Sequence, residues 1–279
     1  MKECTIYKEG EVLIGWNGSN FTYEKRKLAG ATFKVTAGAD IYRADGAKVY
    51  NNGDLVRDNL VTGSDGQVVL SDLHLGTYVV TETKSIDGYT INTTPQTVKI
   101  EYKDQNVTVQ SESTTILNNR QKAEVSVVKK DSDTDNPLDG GKYTMYAGND
   151  IKNYDGRVIV TKGTALQTVT TGADGKAVYS LDLPIRNSYY ITETQAPKNY
   201  IRNESAVYSF EFKVLEQNRA SASFAHTFVN DRTTAKIQIE KVDKETGKAI
   251  PQGDASLEGA VYGLYAREDI NHPDKMTGV

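Results

Sequence analysis

Leu28-Ala29-Gly30-Ala31-Thr32-Phe33-Lys34-Val35 returns as Leu138-Asp139-Gly140-Gly141-Lys142-Tyr143-Thr144-Met145, and again as Leu257-Glu258-Gly259-Ala260-Val261-Tyr262-Gly263-Leu264. The first two copies stay in step well beyond this stretch. Thr62-Gly63-Ser64-Asp65-Gly66 matches Thr171-Gly172-Ala173-Asp174-Gly175, and Tyr78-Val79-Val80-Thr81-Glu82-Thr83 matches Tyr189-Tyr190-Ile191-Thr192-Glu193-Thr194. A period of about 110 residues is that of a whole domain and far exceeds a solenoid unit. The chain therefore reads as tandem domains, over residues 1–122 and 123–234, followed by a truncated start of a third over 235–279.

Within each copy the local signals are those of strands. Asp-Gly pairs separate alternating apolar runs, and glycine accepts the positive φ that a tight hairpin turn demands. Gln96-Thr97-Val98-Lys99-Ile100 and Tyr208-Ser209-Phe210-Glu211-Phe212 alternate with period two, so one face can enter a core while the other stays wet. No long segment carries a 3.6-residue period. Short strands with turns at this spacing predict an all-β chain of antiparallel sandwiches. Arg120-Gln121-Lys122 and Arg232-Thr233-Thr234 read as polar joints, between modules expected to move as separate rigid bodies.

Composition narrows the function. Seventeen Tyr suit half-buried pleated surfaces. A net charge of −4 argues against nucleic acid, whose binding needs a basic face to displace counterions. One cysteine, Cys4, excludes an internal disulfide and a cysteine zinc cluster. No run is apolar over a bilayer-spanning length, and the first residues lack the apolar core of a signal peptide, so any targeting or anchoring segment is expected outside the chain. His74, His226 and His272 sit in unrelated contexts, which disfavours a metal site or triad. Asp131-Ser132-Asp133-Thr134-Asp135-Asn136 imitates the start of a calcium loop, but Lys142 stands where the bidentate Glu is needed, and a polar turn is the better reading. Neither a cofactor nor a metal is expected.

The ordered set Lys241-Val242-Asp243-Lys244-Glu245-Thr246-Gly247-Lys248, Leu257-Glu258-Gly259-Ala260, the Thr-Glu-Thr strand, Ala196-Pro197-Lys198-Asn199-Tyr200 and a closing Asn230 has a family shape. It resembles the Cna-B, or SpaA-like prealbumin-fold, domains of Gram-positive pilins and collagen-adhesin stalks, over nearly the whole chain. The resemblance implies tandem immunoglobulin-like (prealbumin or transthyretin-like) sandwiches whose first and last strands are joined by a spontaneous Lys–Asn isopeptide bond, promoted by a buried acid. Carried over residue by residue, it implies Lys129, Glu193 and Asn230 in copy two. In copy one it implies Lys8, Glu82 and Asn118. Lys241 would be the cross-link lysine of the third copy, without a partner. In both copies the asparagine precedes the next lysine by 11 residues, Asn118 to Lys129 and Asn230 to Lys241.

Copy one departs from the pattern twice. An insertion holding Trp16 and Tyr23 lies between Lys8 and Leu28, and Lys84-Ser85-Ile86-Asp87-Gly88-Tyr89 replaces the Ala-Pro form. Lys2 is therefore a weaker alternative to Lys8, and Asn119 stands beside Asn118. The chemistry explains why such groups must be buried together. A lysine amine is nucleophilic only when neutral, which desolvation favours, and the same setting favours a protonated carboxyl able to polarise the amide.

The expected role is a structural stalk or backbone on the cell surface, extracellular and not enzymatic. Its partners would be further modules of the same polypeptide and, through a sortase anchor beyond this chain, the cell wall. The alternative is a ligand-binding adhesin that grips a host protein or glycan through the loops at residues 10–23 or 149–164, with Trp16 as the best contact. An accessory module of a carbohydrate-active enzyme is a third class.

Overall fold

The computed structural model describes residues 2–104 and 109–273; Met1 and residues 274–279, the last part of the expected third copy, lie outside the described residues. Copy one is built from β1 (Lys2–Trp16), β2 (Phe21–Lys27), β3 (Thr32–Ala37), β4 (Ile41–Tyr42), β5 (Lys48–Tyr50), β6 (Leu55–Val61), β7 (Gln67–Leu70), β8 (Gly76–Lys84), β9 (Gln96–Ile100) and β10 (Gln110–Asn118). Copy two follows with β11 (Lys122–Asp131), β12 (Lys142–Ala147), β13 (Ile151–Lys152), β14 (Val158–Val160), β15 (Ala165–Thr170), β16 (Lys176–Tyr179), β17 (Asn187–Gln195), β18 (Val207–Phe212) and β19 (Ser221–Asn230). The chain is all-β, with no helix among the described residues.

Each copy stacks two sheets. In copy one, β6-β3-β8-β9 faces a sheet in which β1 pairs with β10, β7 and β2. In copy two, β15-β12-β17-β18 faces β16-β11-β19. The first and last strands of each copy are parallel neighbours, β1 with β10 and β11 with β19. Period-two alternation carries Cys4, Ile6 and Ile116 inward in copy one, where they meet Phe33, Val35, Tyr78 and Val80 from the facing sheet. Val125, Val127, Tyr143, Met145, Tyr189, Ile191 and Phe212 are the counterparts in copy two. A buried aromatic or aliphatic side chain of this size is worth about 1.5–3 kcal/mol, so these alternations bind the sheets face to face.

The junction differs from the expectation of a polar joint between independent bodies. Beyond Gly10, β1 runs on as one arm of a hairpin with β2, paired from Glu9↔Lys27 to Trp16↔Phe21. That hairpin lies against copy two. Phe21, 6% exposed, belongs to the core of copy two, with Leu13, Trp16 and Tyr23 packed against the same cluster. The amide of Tyr154 donates to the Leu13 carbonyl at 2.8 Å, and the Tyr23 hydroxyl donates to the Asp182 carbonyl at 3.0 Å.

The joint itself is closed. Arg120 stacks over the Tyr23 ring at 3.3 Å and pairs through two nitrogens with the Asp182 carboxylate. Gln121 is only 1% exposed; its side chain donates to the carbonyls of Leu215 and Glu216 and accepts from the Leu215 amide. Within residues 10–23 the side chains of Leu13, Trp16, Phe21 and Tyr23 are thus docked on the neighbouring copy, while residues 17–20 at the tip of the hairpin stay exposed. Trp16 spends its ring on Phe21, with centroids 4.6 Å apart.

Residues 235–273, read as the truncated start of a third copy, hold no strand among the described residues. Lys241 is exposed, as are Ile237 and Ile239, so this segment has no facing sheet on which to order its alternation.

Candidate functional site

The backbone treats Lys8 and Lys129 alike. The Lys8 amide donates to the Gly66 carbonyl at 2.9 Å and its carbonyl accepts from the Leu28 amide at 2.8 Å; Lys129 does the same with Gly175 at 2.7 Å and Leu138 at 3.0 Å. Both glycines sit at φ 69°, with no room for a Cβ, 2.5 Å from a Lys27 or Lys129 atom. The Asp-Gly turns therefore do more than reverse the chain: each aims a carbonyl at the lysine strand. On the partner strand, Lys8 lies opposite Ile116 and Lys129 opposite Phe228. Asn118 and Asn230 stand two residues further along, which in a strand is the same face. The acid comes from the other sheet, Glu82 opposite Phe33 and Glu193 opposite Tyr143.

These placements bring all six side chains together in two groups of three. Lys8 and Lys129 are both 0% exposed. In copy one, Lys8 Nζ donates to Glu82 Oε2 at 3.1 Å, and Asn118 Nδ2 donates to Glu82 Oε1 and to Ser85 Oγ, each at 2.8 Å. The Asn92 amide donates to Glu82 Oε2 at 2.9 Å. In copy two, Asn230 Nδ2 donates to both oxygens of Glu193 at 2.9 Å, and the Tyr143 hydroxyl donates to Oε1 at 3.0 Å. Lys129 Nζ lies 3.4 Å from Glu193 Oε1, an ion-pair distance without the alignment of a good hydrogen bond. Both asparagine carbonyl oxygens, Asn118 Oδ1 and Asn230 Oδ1, are buried without a hydrogen-bond partner. Unpaired buried amide oxygens cost free energy, and here they stand at the same point of both copies.

Burial lowers the pKa of both lysines, against the opposing pull of the neighbouring carboxylate. Lys8 falls below its ordinary value, and Lys129 falls to about 8. A neutral amine is thereby brought within reach of ordinary pH. In an Asn230→Ala chain, where Lys129 can only be a free amine, burial is expected to keep its pKa depressed from 10.5 toward the value of about 8 that it has in the native fold. Between those values the unfolded chain binds more protons, so the stability of copy two rises as pH climbs through this window. Thermal melts across the window check it; a flat or falling curve would contradict a buried, depressed Lys129.

The remaining sequence readings fall as follows. Lys2 pairs with Gln110 at the far end of β1, and the Asn119 side chain is exposed, so neither joins a cluster. The calcium-like stretch is a turn in which Asp131 Oδ1 accepts from the amides of Asp133 and Thr134. Sequence reasoning missed Ser85, Tyr143 and the amides of Asn92 and Asn203, the last donating to Glu193 Oε2 at 3.3 Å. Ser85 stood within the stretch that broke the repeat and was read only as a departure.

With this geometry in view, a family model described as SpaA, prealbumin-like fold domain, matches residues 22–115 and 123–226. No curated protein matches the chain. Among solved structures, the Bacillus anthracis TIE protein aligns at TM-score 0.54 and 21% identity, over 82% of this chain and 34% of that one. A streptococcal ancillary pilin aligns at 0.29 and 20%, over 84% and 63%. The shaft pilin SpaA from Lactobacillus rhamnosus GG aligns at 0.30 and 14%, over 84% and 99%. The chain thus spans about a third of the length of the first of these structures, with which it shares the fold.

Proposed function

The chain belongs to the SpaA family of prealbumin-like fold domains, and from that premise we propose that it is a load-bearing stalk segment of a Gram-positive surface protein or pilin. Its modules are residues 1–122 and 123–234, with the start of another at 235–279. It acts outside the cell, in series with further modules and, through a sortase anchor elsewhere in the polypeptide, on the cell wall. It turns over no substrate.

The observation that carries this reading is the pair of buried Lys–Glu–Asn clusters on parallel first and last strands. The neutral lysine amine attacks the asparagine Cγ, forming a C–N bond. Glu82 or Glu193 accepts the amine proton and returns one to the departing Nδ2, so the C–NH₂ bond breaks, ammonia leaves and the acid is regenerated. Each cluster reacts once, on itself.

The topology explains what such a bond would do. In a parallel pair the start of the first strand and the end of the last lie at opposite poles. Tension entering β1 would reach Lys8, cross to Asn118, and leave along residues 119–128 to Lys129 and Asn230. The sheets between would carry none of it. Intact-mass measurement of the folded chain is expected to show the loss of two ammonia molecules. A mass equal to that of the unmodified sequence would remove the cross-links while leaving the fold as described.

A further inference from the structure

Copy two touches the reacting cluster of copy one at two points, through one residue. Gln217 lies in the connection between β18 and β19, which Gln121 clamps to the joint. Its side-chain Oε1 accepts the amide of Ser85 at 3.0 Å, and its main-chain carbonyl accepts the amide of Ile91 at 2.8 Å. Those two positions flank the cluster. Ser85 Oγ accepts from Asn118 Nδ2, the nitrogen that would leave. The residue after Ile91 is Asn92, whose amide holds Glu82 Oε2.

We infer that Gln217 is a positioning residue for the proposed Lys8–Asn118 bond, so that cross-linking of copy one is completed by the docking of copy two. This rests on the cross-link reading above and names what regulates it. Copy two supplies the comparison. Ala196 stands at the position of Ser85, and the amide matching that of Asn92, from Asn203, is longer, 3.3 Å against 2.9 Å. Among the described residues, no backbone bond from 235–273 reaches the Arg202 amide, the counterpart of Ile91. The lysine–acid contact lengthens in parallel, from 3.1 Å to 3.4 Å. The cluster with a docked neighbour is the tighter one at both matched contacts.

The physical reason is positional. Attack needs the amine and the amide carbon held in a near-attack geometry, and small displacements of the holding groups cost rate steeply. Residues 85–92 form an irregular connection between β8 and β9, and Gln217 pins it at both ends of the part that touches the cluster. Gln217 is itself exposed, so replacing it removes no core packing.

The test follows both bonds separately in the full chain during cell-free synthesis, by digesting samples over time and measuring the branched peptides that contain Lys8–Asn118 and Lys129–Asn230. Gln217→Ala is expected to slow the first bond about fivefold, the worth of one hydrogen bond, and to leave the second unchanged. Gln217→Glu keeps an oxygen that can accept from Ser85 and should restore the rate. Ser85→Ala should slow the first bond in the same way. Equal rates for wild type and Gln217→Ala would overturn the inference, as would a slowing of both bonds together or a failure of Gln217→Glu to rescue. If wild type forms neither bond, the cross-link reading itself falls and carries this inference with it; linked wild type with an indifferent Gln217→Ala removes only the role of Gln217.

Discussion

Glu193→Gln is expected to leave copy two unlinked, so that the chain falls short of its own sequence mass by one ammonia instead of two while copy one keeps its bond. Glutamine fills the same volume and can accept from Asn230 Nδ2 and Tyr143 as Glu193 does, but it cannot relay the proton that attack by Lys129 releases. The loop closed by a Lys129–Asn230 bond spans about a hundred residues. By analogy with disulfides, its loss costs copy two about 4–5 kcal/mol through the wider freedom of the unfolded chain. For a module of this size that is a fall on the order of 20 °C in its melting temperature. Glu193→Ala should likewise lose only one ammonia, with a larger fall in melting temperature, since it strips the partner from Tyr143 and Lys129 and opens a void. Mass is the deciding readout. A Glu193→Gln chain that still lost both ammonias would show that this acid is not needed.

Phe21→Ala tests the junction, and its expected effect crosses from one copy to the other. Phe21 belongs to copy one by sequence and to the core of copy two by packing, where its ring also packs at a tilt against Trp16. Removing a buried phenylalanine ring costs about 3–5 kcal/mol, and here the loss should fall on copy two. Amide exchange should therefore speed up through β11–β19 more than through β3–β9. Small-angle scattering should report a wider spread of inter-module angles. Exchange that speeds up only in copy one would mean that the hairpin contributes nothing to its neighbour's core.

The same substitution separates what was legible in the sequence from what was not. A repeat with Asp-Gly turns at matched positions, and strands alternating with period two, is a local signal, and it was enough for an all-β tandem. The clusters were legible for a related reason. Two copies of one chain carried Lys, Glu and Asn in the same order; alternation put Lys8 and Lys129 at inward positions of their strands, while Asn118 and Asn230 followed from the family resemblance. Even so, which lysine backbone would meet Gly66, and so Lys8 over Lys2, depended on register.

Other features depended on contacts between segments far apart. Leu13, Trp16, Phe21 and Tyr23 are apolar or aromatic, but nothing local says that their hairpin closes on copy two and not on solvent or a ligand. Ser85 looked like a break in a motif until Gln217, 132 residues away, was found against it. Tyr143 and Phe33 are interchangeable as aromatic strand residues, and only the opposite sheet shows that one of them has a hydroxyl facing a carboxylate. Residues 235–273 repeat the opening of a strand-forming copy and yet hold no strand. Alternation marks which face a strand can bury, but a strand forms only when a second sheet is there to bury it against. The sequence by itself determined strand, turn and the inward residues of each copy; tertiary packing decided which inward residues meet, and that the hairpin of copy one buries Phe21 in the core of copy two.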